Sequence, residues 1–109
     1  MTRHTVELTE DALFDLDDIA DYTGTHDSPE RAEHVARGIE KACESLALFP
    51  NRGAYPRELL ELGFRQFREV HFKPYRVIYR VYERKVVVFL IADGRRDMQR
   101  LLTSRVLGA

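Results

Sequence analysis

The sequence predicts an α+β fold: an antiparallel sheet that receives two N-terminal helices on one face and carries a short C-terminal helix. Three observations predict it. Apolar residues recur at helical spacing from Ala12 to Phe49, the spacing changes to every second residue from Phe64 to Ile91, and a short amphipathic segment follows Arg96. With 109 residues, 44% of them hydrophobic, the chain supports one core and one domain spanning residues 1–109.

The elements follow in order. Arg3 to Leu8 alternates weakly and reads as a short strand. Thr9 stops it and can cap a first helix whose opening turn holds Glu10 and Asp11, acids that suit the positive end of a helix dipole. Ala12, Leu13, Leu16, Ile19, Ala20 and Thr23 form its expected buried stripe, Gly24 suits its exit, and Asp11, Asp15, Asp18 and Tyr22 line another face. Ser28 before Pro29 starts a second helix, since a proline at the first helical position lacks only an N–H that had no partner there. Ala32, Val35, Ala36, Ile39, Ala42, Cys43, Leu46 and Phe49 mark its expected apolar face, and Pro50 ends it. The segment Asn51 to Glu58 reads as a turn region, with Gly53 and Pro56 as its breakers.

From Phe64 a tight turn at Lys73-Pro74 sets Tyr75 opposite Phe72 and Arg76 opposite His71, and a second turn at Glu83-Arg84 sets Arg80 opposite Val87. This register sorts side chains by face. One face collects Val70, Phe72, Tyr75, Val77, Tyr79, Val81, Val86, Val88 and Leu90, and is apolar enough to receive both long helices. The other collects Arg65, Phe67, Glu69, His71, Arg76, Ile78, Arg80, Val87, Phe89 and Ile91, half basic and half apolar. A last helix bearing Met98, Leu101, Leu102 and Val106 covers part of it, and the rest is expected to meet a partner.

Charge divides the chain. Residues 1–49 hold 12 acids and 4 bases, net −8, while residues 50–109 hold 6 acids and 13 bases, net +7. The total of −1 argues against a nonspecific coat for nucleic acid, but the basic half is suited to a local contact with an anion or an acidic partner. No apolar run is long enough for a membrane span or signal peptide, so a cytoplasmic protein with no membrane contact is expected. Cys43 is the only cysteine and falls among helical apolar positions, which suits a buried thiol rather than a nucleophile. The histidines have no ligand spacing with acids or cysteine, so neither a metal nor another cofactor is assigned.

The run PYRVIYRVYERKVVVFLIADGRRDMQRLL, preceded by a strand, two helices and the loop FPNRGAYP, resembles the RelE/ParE superfamily of toxins from type II toxin-antitoxin systems. The resemblance covers nearly the whole chain. It implies a growth-inhibiting bacterial toxin and a cognate antitoxin that binds it, with a toxin-antitoxin hetero-oligomer as the expected assembly. ParE-like members poison DNA gyrase, and RelE-like members cut messenger RNA on the ribosome. Arg76 and Arg96 match positions of RelE phosphate-handling arginines, but Leu102 stands where RelE-like enzymes tend to carry a catalytic tyrosine. Gyrase is therefore the expected target, by a binder rather than an enzyme; the alternative is a ribosome-dependent mRNA endoribonuclease using His71, Arg76 and Arg96. The residues expected to bind target or antitoxin are Arg65, Arg76, Ile78, Arg80, Phe89, Arg95 and Arg96, because Glu69 alone cannot neutralise five arginines and a mixed arginine and apolar surface suits a protein interface.

Overall fold

A computed structural model describes residues 3–108. Its elements are β1 (Thr5–Leu8), α1 (Glu10–His26), α2 (Pro29–Glu44) running into a 3-10 turn at Ser45–Ala47, α3 (Arg57–Glu61), β2 (Phe67–Phe72), β3 (Tyr75–Val81), β4 (Lys85–Asp93) and α4 (Met98–Leu107).

The helix starts obey the local chemistry. The Thr9 hydroxyl accepts from the Ala12 N–H at 3.1 Å, the Ser28 hydroxyl from the Arg31 N–H at 3.0 Å, and the Asp97 carboxylate from the Arg100 N–H at 3.1 Å. Each satisfies an N–H that the helix itself cannot. The exit of α1 lies later than Gly24: the helix runs on to His26, and the Asp27 N–H closes it on the Thr23 carbonyl. Gly24 instead lies where α1 meets α2, and a Cβ there would be 3.7 Å from that of Ala32.

The sheet order is β1-β4-β3-β2. The strands β2, β3 and β4 form the antiparallel meander, with the Phe72–Tyr75, His71–Arg76 and Arg80–Val87 pairs in the expected register. The sheet as a whole is mixed, because β1 joins β4 in parallel, a direction available to it once a helical pair intervenes. One part of the face assignment is corrected. Tyr79 pairs with Val88 and Ile78 with Leu90, so Phe89 is an extra residue on β4. Such a bulge reverses the alternation beyond it. Ile91 therefore joins the core with Val77 and Val35, while Leu90 turns to the opposite face.

The α1–α2 pair packs on the first face around Ile39, Leu46, Val77, Tyr79, Val86 and Val88. Close approach of α2 to β2 depends on Gly38, where a Cβ would fall 2.3 Å from the Phe72 ring. Burial of the single thiol in this core pushes Cys43 up to about 11, with Glu40 and Glu44 adding to the effect, so it stays protonated.

The second face is not open as the sequence suggested. α3 and α4 close over it, and Leu59, Phe67, Ile78, Leu90, Ala92, Met98 and Leu102 form a second buried cluster. The large aliphatic side chains among them each contribute about 1.5–3 kcal/mol on removal from water. α3 escaped the sequence reading because it lies between breakers and is only five residues long. No helix among the described residues is long and apolar enough to cross a membrane.

Candidate functional site

The arginines that the sequence places on one sheet face fall into two different environments. Arg76, near the Lys73-Pro74 turn, is enclosed. Its Nη1 and Nη2 donate to the two carboxylate oxygens of Glu58 at 2.9 Å each, and its Nε and Nη2 donate to those of Glu69 at 2.6 and 3.1 Å. Two forked pairs thus use the rigid donor geometry of one guanidinium. The hydrogen bonds from Arg76 hold the Glu58 carboxyl below the usual carboxylate range, and those carboxylates hold the Arg76 guanidinium above its ordinary value. The Arg76 stem lies under Gly94, where a Cβ would come within 2.8 Å of Cδ. With 15% of its side chain exposed, Arg76 is an internal tie between α3, β2 and β3 rather than a surface residue.

The partner that sequence reasoning missed is Glu58. The segment PRELLE carried a helix signal, with a proline before a pair of leucines, that would have placed Glu58 over the sheet beside Leu59. Glu69 is itself held from behind. Its backbone pairs with Ala54 of the preceding loop, at 2.8 and 3.2 Å, and the Tyr79 hydroxyl anchors that loop by donating to the Pro50 carbonyl at 2.7 Å and accepting from the Gly53 N–H at 3.0 Å. Burial raises the Tyr79 phenol above its ordinary value, so it remains a donor. His71 is half exposed, with Nε2 3.0 Å from Glu69 Oε1.

Other predicted site residues are also accounted for. Ile78 is 0% exposed beneath α3 and α4, so it cannot touch a partner in this conformation. Phe89 is half buried at the bulge and meets Phe67 edge-on, with ring centroids 5.7 Å apart. Arg95 folds back on Asp93, its Nε donating to Oδ1 at 2.9 Å, and this keeps the Asp93 carboxyl below its ordinary value. Arg96 is exposed at the approach to α4. Of the acidic stripe on α1, Asp15 is neither solvated nor free: it accepts from the Ile91 N–H at 3.0 Å and from Arg105 at 2.8 and 3.0 Å. Arg105 also donates to the Phe89 carbonyl at 2.7 Å. β1 pairs with β4 only as far as Val88, and Asp15 with Arg105 satisfies backbone groups of β4 just beyond.

Beside that half-edge, between α1, α2 and the end of β4, runs a groove of about 760 Å³. Ile19, Tyr22, Val35, Tyr75 and Ile91 give it an apolar floor, and Asp18, Arg31, Arg95 and Arg96 give it a charged rim.

Arg80, four residues along β3 from Arg76, has a different setting. Its guanidinium lies 4.9 Å from the centre of the Tyr82 ring, and among the described residues no carboxylate lies within 4.0 Å of it or of Arg65 or Arg84. Arg68 makes the instructive contrast. It stacks similarly on Tyr55, at 4.6 Å, but donates to the Gly53 carbonyl at 2.8 Å and the Tyr55 hydroxyl at 3.2 Å, so its donors are spent on the loop. Among the described residues no cluster of three or more histidine, cysteine or acidic side chains is arranged to hold a metal ion.

The profile of the family described as "ParE toxin of type II toxin-antitoxin system, parDE" matches residues 6–98. No curated protein matches the chain in sequence. Among solved structures, the chromosomal ParDE toxin-antitoxin system of P. aeruginosa superposes with a TM-score of 0.70 at 23% identity, covering 84% of this chain and 96% of that one. The toxin-antitoxin complex RelBE2 of Mycobacterium tuberculosis gives 0.58 at 24% identity, covering 85% and 93%. A mutant of the E. coli toxin RelE in the free state gives 0.55 at 14% identity, covering 98% and 97%.

Proposed function

We propose that this chain, which belongs to the ParE toxin family of type II toxin-antitoxin systems, arrests growth by poisoning DNA gyrase and is neutralised by a cognate antitoxin in a hetero-oligomer. The observation that carries the choice of target is the closed state of Arg76. Cleavage of RNA through its ribose 2′-hydroxyl calls for a base, an acid and cations free to meet the developing charge. Here the arginine at the expected phosphate position is occupied by Glu58 and Glu69, and Leu102 lies in the core without a proton to give. Poisoning of gyrase asks no proton transfer of the toxin. It asks for a surface that stabilises the cleaved DNA complex.

One observation favours the second reading, the ribosome-dependent endoribonuclease. His71 is half exposed and oriented by Glu69 beside Arg76, an arrangement that can carry a proton. The deciding experiment compares gyrase-dependent DNA cleavage with cleavage of a ribosome-bound message, using the wild type and His71→Ala. Stabilised gyrase cleavage in both proteins supports the proposal. Codon-positioned cuts in the message that vanish in His71→Ala, without gyrase cleavage, establish the second reading.

The groove along the β4 half-edge is the seat that best fits an antitoxin segment, since it offers an apolar floor and charges of both signs at its rim. The basic sheet face first expected to hold the antitoxin is filled by α3 and α4. Saturating antitoxin should raise the melting temperature, by the linkage that stabilises any folded state with a bound ligand. Ile19→Glu should abolish that rise.

A further inference from the structure

β2, β3 and β4, with the segments that join them, bring basic residues to one end of the sheet. β1 and β4 begin there, β3 ends there, and β2 begins there, as the Thr5–Lys85 and Phe67–Arg80 pairs require. Arg65 precedes β2, Arg80 lies in β3, Arg84 occupies the turn and Lys85 opens β4. The acids at this end include Glu7, which meets Lys85 at 3.7 Å across an exposed pair, Glu83 in the turn and Glu44, which shares a hollow with Arg3 and Thr5; against them stand Arg3, Arg65, Arg80, Arg84 and Lys85. This end therefore keeps an excess of positive charge, whereas the cations Arg76, Arg95 and Arg105 elsewhere are each met by a carboxylate within 3.0 Å.

We infer that this strand-end surface contacts the phosphate backbone of duplex DNA, with Arg80 and Arg65 as its central cations. The Arg80 guanidinium lies over the Tyr82 ring, 4.9 Å from its centre, a contact that uses none of its N–H donors, and those donors can pair with two phosphate oxygens. Neighbouring strands lie about 4.8 Å apart, so cations on β2, β3 and β4 form a row about 10 Å wide. That width spans about three base-pair steps of a duplex, at about 3.4 Å of axial rise each. A peptide partner would need a concave apolar seat, and the groove of about 760 Å³ along α1 and α2, beside the other end of β4, offers about twice the volume of the hollow at Thr5 and Val6. The inference deepens the gyrase reading by naming what the toxin would touch in a cleaved DNA complex, and rests on that reading for the source of the DNA.

The test is fluorescence anisotropy with a short labelled DNA duplex, run between about 50 and 200 mM salt. Wild type should bind with strong salt dependence. Arg65→Ala/Arg80→Ala should lose at least about tenfold in affinity and lower the logarithmic salt slope by nearly 2, since each phosphate contact adds about 0.9. Arg37→Ala/Lys41→Ala, which removes the same charge from the exposed face of α2, should bind like wild type. Equal binding by wild type and Arg65→Ala/Arg80→Ala, or an equal loss in the α2 variant, overturns the inference. So does a glutamate-rich peptide that binds the same residues more tightly than the duplex. Gyrase cleavage measured in parallel separates the two ideas: duplex binding without gyrase poisoning removes the target and leaves the contact, and poisoning without duplex binding does the reverse.

Discussion

Arg76 and Arg80 lie four residues apart on one strand and one face, both partly buried, yet one is paired with carboxylates and the other is not. Arg76 has two carboxylates in forked contact and a glycine packed on its stem. Arg80 has an aromatic ring and no acid within salt-bridge distance among the described residues. The difference arises from what lies above the sheet. α3 brings Glu58 over the first, while the second lies near the Glu83-Arg84 turn with the Tyr82 ring beside it. The same residue type in the same alternating pattern is a structural part where a carboxylate-bearing element covers it and an available cation where none does.

The largest expected effect that would sharpen this contrast is that of Arg76→Ala. Removing the shared cation leaves Glu58 and Glu69 partly buried and facing each other, which should cost about 3 kcal/mol in urea unfolding. A loss below about 0.5 kcal/mol, the usual value for a surface substitution, would put Arg76 back among the exposed residues. Acid should erase much of the contrast. The folded state holds the Glu58 carboxyl below its unfolded value, so its stabilising contribution is complete above the ordinary glutamate pKa near 4.3 and is lost as pH falls through the lower folded value. Asp93, depressed by Arg95, follows the same direction. The stability gap between wild type and Arg76→Ala should therefore narrow below about pH 4.

Next in size is Tyr79→Phe. It deprives the buried Gly53 N–H of its acceptor and the Pro50 carbonyl of its donor, and should cost about 1–3 kcal/mol by thermal unfolding. That loss should be transmitted to the Glu69 side of the network through the loop bridge at Ala54. The smallest effect belongs to Arg80→Ala, which gives up a partly exposed cation–π contact and should stay within about 1 kcal/mol of wild type. A larger loss would mean that the open end is structural as well.

Much of the architecture was legible in the residues. Thr9, and Ser28 with Pro29, announced their helices because capping is a local transaction between a side chain and its own backbone neighbours. The two turns fixed the register of β2, β3 and the first half of β4. What escaped was set by contacts distant in sequence or by a single inserted residue. The bulge at Phe89 leaves no pattern in an unbroken apolar run, so Leu90 and Ile91 were assigned to each other's faces. Asp15 reads as a wet helical acid until Arg105, ninety residues away, closes on it. The candidate site was half legible. The excess of arginine over acid treats Arg65, Arg76, Arg80, Arg95 and Arg96 alike, but Glu58, absent from that tally, closes on Arg76, Asp93 closes on Arg95, and Ile78 is buried rather than on an open surface.

The division between the two arginines is tested most directly by a double-mutant cycle on Glu58 and Arg76, read as unfolding free energies of Glu58→Gln, Arg76→Gln and the double variant. Residues in one buried network couple by about 0.5–3 kcal/mol, and two forked contacts place this pair at the upper end, so a coupling above about 1.5 kcal/mol is expected. A coupling below about 0.5 kcal/mol would show that Arg76 is not held by α3, and would contradict the separation of a closed from an open end of the sheet.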